Sequence, residues 1–164
     1  MRLASKVQEW IDNREWEDRV EVDEENQRSR INFSYGINEQ SFDLWFETDE
    51  NKEQLELYLY FPFKVKKDKL NDFVLLLNFI HSRSYIGGFC VLANRRIQYR
   101  HFVDVENAEP SIETINNMVG AGSDIITSWF EELVLVALTG KTTKEVIDDL
   151  SDISDEPEEV PNSI

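Results

Sequence analysis

From Leu55 to Val103 the chain alternates, turns apolar at nearly every position, and then alternates again, and few folds accept that order. Leu55, Leu57, Leu59 and Phe61 fall on one side of an extended segment and Glu56, Tyr58 and Tyr60 on the other, the period-two signature of a strand with one face in a core. Pro62 has no N–H to give a ladder and is expected to end this strand. Residues 66–83 read as a helix whose centre, Phe73 to Ile80, is apolar on almost every side. One face would pack on the sheet and another would meet a second surface, such as another subunit, which makes Phe73, Leu76, Phe79 and Ile80 a candidate dimer helix. Gly87 and Gly88 are expected to stop the helix and release the chain into Phe89 to Leu92. Asn94, tolerant of positive φ, then turns it into Ile97 to Val103.

The flanks extend the pattern. Leu3, Val7, Trp10 and Ile11 recur at helical spacing among charges and predict an amphipathic helix over 2–14, while 16–22 is a first strand or an extended connection. Ile31, Phe33, Tyr35 and Ile37 alternate with polar neighbours. Phe42, Leu44 and Phe46 do the same, opposite Asp43, Trp45 and Glu47, with Gly36 to Gln40 as the turn between the two strands and Asp49 to Lys52 as the next. Pro110 and a Ser111 N-cap open a long helix carrying Ile112, Ile115, Val119, Ile126, Trp129 and Leu133, and Gly120 and Gly122 predict a kink or break within it. Thr142 and Glu145 fit a capping box for a short last helix. The fold class is therefore α+β, an antiparallel sheet packed by helices in the order α-β-β-β-(β)-α-β-β-α. Residues 1–140 form one domain, and 141–164 form a short helix and an acidic, proline-bearing tail expected to be disordered.

Charge and composition narrow the functions. Thirty-three acidic against 17 basic residues give a net charge of −16, which repels phosphate backbones and anionic headgroups, so neither nucleic acid nor a membrane surface is an expected partner. No apolar run matches a signal segment or a bilayer span, and a cytoplasmic location is expected. Cys90 is the single cysteine, which rules out an internal disulfide and a cysteine-built zinc site.

Motifs that resemble chemistry fail on context. Thr139-Gly140-Lys141-Thr142 looks like the end of a phosphate loop, but Leu135 stands where that loop needs its first glycine, so a helix end followed by an N-cap is the better reading. Gly120-Ala121-Gly122 follows no strand and is not a dinucleotide fingerprint. His81 and His101 lie in different elements without metal-ligand spacing, and Cys90, between Phe89 and Val91, advertises no positioned base. No catalytic residue, cofactor or metal is expected.

Two features remain. Trp45, Tyr58 and Tyr60 point outward on adjacent strands, and aromatics on a nominally wet sheet face form an adhesive patch for a protein partner. Lys64, Lys66, Lys67, Arg95, Arg96 and Arg100 concentrate positive charge in an acidic chain. Residues 141–164, with two positive and eight negative side chains, carry a net −6 that could dock there.

The element order, with Phe61-Pro62-Phe63 closing a strand, Leu70 to Asn78 in the central helix, Gly88-Phe89 opening a strand, Ile97 to Arg100 in the next and Ser111 to Ile115 starting the last helix, resembles the YbjN family. That family's fold is similar to that of type III secretion chaperones. The resemblance covers roughly residues 1 to 150 and implies a bacterial, dimeric, non-enzymatic regulator or chaperone-like binder of polypeptide. The expected function is accordingly a cytoplasmic protein-binding module acting as a homodimer. A small-ligand sensor, or an enzyme whose pocket is not visible as a motif, stands as the alternative.

Overall fold

The computed structural model describes residues 1–84 and 86–154. Its strands are β1 (Glu21–Asp23), β2 (Arg28–Ile37), β3 (Gln40–Asp49), β4 (Gln54–Lys64), β5 (Gly88–Val91) and β6 (Arg96–Asp104), and its helices are α1 (Arg2–Asp12), α2 (Leu70–His81), α3 (Ile112–Leu138) and α4 (Thr143–Ser154). The strands form one antiparallel sheet in the order β1-β2-β3-β4-β6-β5. The expected α+β class and element order are what the structure shows.

One face of the sheet carries the core. Phe42, Leu44, Phe46, Leu55, Leu57, Leu59, Phe61, Ile97 and Tyr99 are buried on it beneath Trp10 and Ile11 of α1, Phe73, Leu76 and Ile80 of α2, and Ile115, Met118, Ile126 and Leu133 of α3. Val146 attaches α4 to the same core. Aromatic edges interlock through it, Trp10 against Phe46 at 5.3 Å and Phe42 against Phe61 at 5.0 Å between ring centroids.

Local chemistry explains most boundaries. Ser111 caps α3, its hydroxyl accepting from Thr114 N–H at 3.1 Å while the Thr114 hydroxyl accepts from Ser111 N–H. Thr142 and Glu145 form the expected reciprocal box ahead of α4, with Thr142 N–H donating to Glu145 Oε2 at 2.7 Å and Glu145 N–H to Thr142 Oγ1 at 3.3 Å.

Other expectations are corrected. Of the weak segment 16–22 only Glu21 and Val22 enter the sheet, in the short strand Glu21–Asp23. The β2–β3 hairpin closes in two residues, Asn38 and Glu39, both at positive φ, because strands twist to match a turn of that hand. Pro62 does not end β4: the pairing with β6 shifts register between Tyr60 and Lys64, which frees the position that lacks an N–H. The helix predicted over 66–83 begins with a 3₁₀ turn at Lys67–Lys69 and ends at His81, well before the glycines. At the β5–β6 turn the positive φ falls on Arg95, and Asn94 instead accepts from Arg96 N–H at 3.0 Å. No break divides α3, which runs as one helix of 27 residues. Gly122 is there for contact: a Cβ on it would come within 2.8 Å of Leu59 Cδ1 and Tyr99 Cε1.

Candidate functional site

The helices contact the sheet through its buried face, and the opposite face has no helix over it among the described residues. Register lines up what stands on that open face. Trp45 on β3 faces Tyr58 on β4, which faces Arg100 on β6. One rung along, Asp43 faces Tyr60, which faces Gln98. In the other direction Glu47 faces Glu56, which faces Phe102. Trp45, Tyr58, Tyr60 and Phe102 all lie outside the core.

These side chains hold one another. Tyr58 stacks on Tyr60 at 6.4 Å and meets Phe102 edge-on at 5.8 Å, while the Arg96 guanidinium sits over the Tyr60 ring at 4.5 Å and pairs with Asp43. The Tyr58 hydroxyl donates to Glu56. Burial, and then that bond to an anion, push the Tyr58 phenol well above its ordinary range. Burial also pushes the Glu47 carboxyl up, reinforced by Glu56 directly opposite. The result is a pre-set aromatic strip, acidic at the Glu47 and Glu56 end and basic toward Arg96, that exposes ring surface at little further cost in side-chain entropy.

Trp45, Tyr58 and Tyr60 are thus brought together as expected. Phe102, half exposed at 49%, belongs with them. Its signal was available: once Ile97, Tyr99 and His101 are read as inward, Gln98, Arg100 and Phe102 must point out. The basic residues divide. Lys64 stands opposite Arg96, Lys66 and Lys67 are exposed just beyond, and Arg95 donates to the Val65 carbonyl at 2.8 Å, all at one end of the sheet. Arg100 lies separately, in the middle of the open face over Phe102 at 5.6 Å. Most of the acidic tail, residues 155–164, lies outside the described residues.

The candidate dimer helix needs correction. Phe73, Leu76 and Ile80 are fully enclosed in the chain's own core, leaving no surface for a second copy, and Phe79 packs edge-on against Trp129 at 5.9 Å. The apolar residues that α2 presents outward are Val74 and Leu75, 54% and 61% exposed.

Cys90 donates its thiol to Gln98 Oε1 at 3.2 Å, and burial raises its pKa, so the thiolate is disfavoured. No group of three or more His, Cys, Asp or Glu side chains among the described residues is arranged to hold a metal ion. No helix among them is long and apolar enough to cross a membrane.

Residues 4–134 match the model of the YbjN family, described as "Putative bacterial sensory transduction regulator". The chain belongs to that family. None of the curated proteins matches it in sequence. Among solved structures, a chain of the HopA1–SchA chaperone–effector complex shares the fold with a TM-score of 0.55 at 14% identity, over 79% of this chain and 93% of that one. A chain of the ExsC–ExsE complex does so with a TM-score of 0.55 at 18% identity, over 84% and 98%. YbjN of E. coli aligns at 8% identity with a TM-score of 0.49, over 79% and 92%. The YbjN-family chain therefore shares its fold with one chain of each of these two complexes.

Proposed function

We propose that this chain is a non-enzymatic, chaperone-like or regulatory protein-binding module of the cytoplasm, acting as a homodimer and gripping a polypeptide on the open face of its sheet. The observation that carries the reading is the strip of Trp45, Tyr58, Tyr60 and Phe102, standing on a sheet face with no helix above it among the described residues. Large, rigid, partly buried aromatics beside arginines are the residue types that dominate polypeptide recognition, because they bury much area for few frozen torsions. The fold shared with a chaperone–effector complex and the regulator description of the family support the same reading.

The test is capture of native chains by the purified protein and by a Trp45→Ser/Tyr60→Ser variant that keeps its melting temperature. A discrete partner retained by the wild type and lost by the variant supports the proposal. The same partner held equally by both overturns it.

A further inference from the structure

A second feature lies where β5 begins beside β6, and it shares Arg100 and Phe102 with the open face. β5 begins at Gly88, opposite Arg100, while β6 runs on to Asp104 with no strand on that side among the described residues. In the notch is a cleft of about 430 Å³ lined by His81, Ile86, Gly87, Gly88, Phe89, Arg100, His101 and Phe102. Two imidazoles and a guanidinium share this one small cleft in a chain of net charge −16, and the guanidinium is its fixed positive charge.

Each polar group is set for a particular task. The Arg100 guanidinium lies over the Phe102 ring at 5.6 Å and has no carboxylate within ion-pair distance among the described residues. His81 accepts from Phe89 N–H through Nε2 at 2.8 Å and lies parallel to the Phe89 ring, so its neutral form carries the proton on Nδ1. Partial burial, and then the charge of Arg100, lower its pKa and keep it neutral. His101 Nδ1 is buried with no partner, and the neutral imidazole can accept there when its other nitrogen carries the proton. The Tyr99 hydroxyl, on a side chain with no exposed surface, also has no partner. It lies directly behind Gly87, where any Cβ would fall 2.1 Å from the oxygen. Buried polar atoms without partners are rare and call for a specific explanation.

We propose that this cleft binds a small organic monocarboxylate that also carries a hydroxyl and an apolar body. One fixed cation flanked by neutral imidazoles matches a single negative charge, and a dianion would keep one charge unpaired. Arg100 takes the carboxylate. His101 Nδ1 accepts a hydrogen bond from the ligand's hydroxyl, and the Tyr99 hydroxyl donates to the ligand directly or through one water, both buried atoms being uncovered as the ligand enters beside Gly87. Ile86, 55% exposed, and Phe102 clasp the apolar part. The proposal does not depend on polypeptide binding at the aromatic strip.

The experiment uses 4-hydroxybenzoate as probe, with 4-hydroxybenzamide as its uncharged twin, followed by NMR of the imidazole and guanidinium groups. Saturable shifts at His81, His101 and Arg100 with the carboxylate, at least tenfold weaker with the amide, are expected. Arg100→Gln should abolish them. Tyr99→Phe should weaken binding several-fold while leaving the free protein as stable as the wild type or more so, since it removes an unpartnered hydroxyl. Equal response to the amide, no response of the wild type up to tens of millimolar, or full binding by Arg100→Gln would each overturn the proposal. Trp45→Ser should leave probe binding unchanged, so failure at either site reads separately.

Discussion

At the scale of single residues, the two glycines of α3 show how alike two positions look in sequence and how differently they are used. Both cost helix stability by the same backbone-entropy argument, and their spacing led to an expected kink. Yet nothing lies within 4 Å of where a Cβ on Gly120 would stand, whereas one on Gly122 would press on Leu59 and Tyr99 at 2.8 Å. Gly120→Ala should therefore stabilise the protein by about 1 kcal/mol. Gly122→Ala should destabilise it by about 1–3 kcal/mol, because the core is already filled and α3 must lift off the sheet. Urea unfolding of the two variants checks both signs, and equal effects would contradict the account. The same residue-level logic separates Tyr99 from Tyr58. Burial alone pushes the Tyr99 phenol up to about 12, while Tyr58 adds the neighbouring anion it donates to.

At the scale of elements, the period of the pattern carried the reading. Strict alternation placed Phe42, Leu44, Phe46 and the leucines of β4 inward, and the same alternation placed Trp45, Tyr58 and Tyr60 outward, since a strand's faces are fixed by parity alone. The helix α2 was harder. When Phe73 to Ile80 are nearly all apolar, spacing cannot tell which stripe the sheet takes, and the structure gives it Phe73, Leu76, Leu77 and Ile80 and leaves Val74 and Leu75 outside. Strand ends and turns were also obscure, because β4 passes its proline by a register shift that depends on β6, a partner more than thirty residues away in the chain. If the protein pairs as a homodimer through α2, the contact belongs to Val74 and Leu75. Sedimentation at micromolar concentration should then show a dimer that Leu75→Glu converts to monomer with unchanged secondary structure. A wild-type monomer would contradict pairing, and a dimer indifferent to Leu75→Glu would place it elsewhere.

At the scale of the whole molecule, the two faces of the sheet differ: one packs against the helices and makes the fold stable, and the other has no helix over it among the described residues. The edge cleft was not legible in sequence, because it gathers the end of α2, the start of β5 and the middle of β6, and no local spacing joins His81 to His101. Those two histidines set a pH dependence for the molecule. Burial lowers both below their ordinary value of 6.5, so the unfolded chain takes up protons first as pH falls. Stability from this source is complete above about 6.5 and is lost as pH drops through that value toward the folded ones. The raised Glu47 works in the opposite direction, nearer the carboxylate range. Melting temperature should therefore fall between about pH 7 and 5.5, and a His81→Gln/His101→Gln variant should flatten that slope; an unchanged slope would mean the imidazoles are not held neutral. The central claim concerns the open face. The most direct measurement is the affinity of a captured partner chain for the wild type and for a Trp45→Ser/Tyr58→Ser/Tyr60→Ser variant of equal melting temperature. A loss of at least about 100-fold is predicted from the removal of two or more aromatic anchors, and an affinity unchanged by all three substitutions would contradict the account.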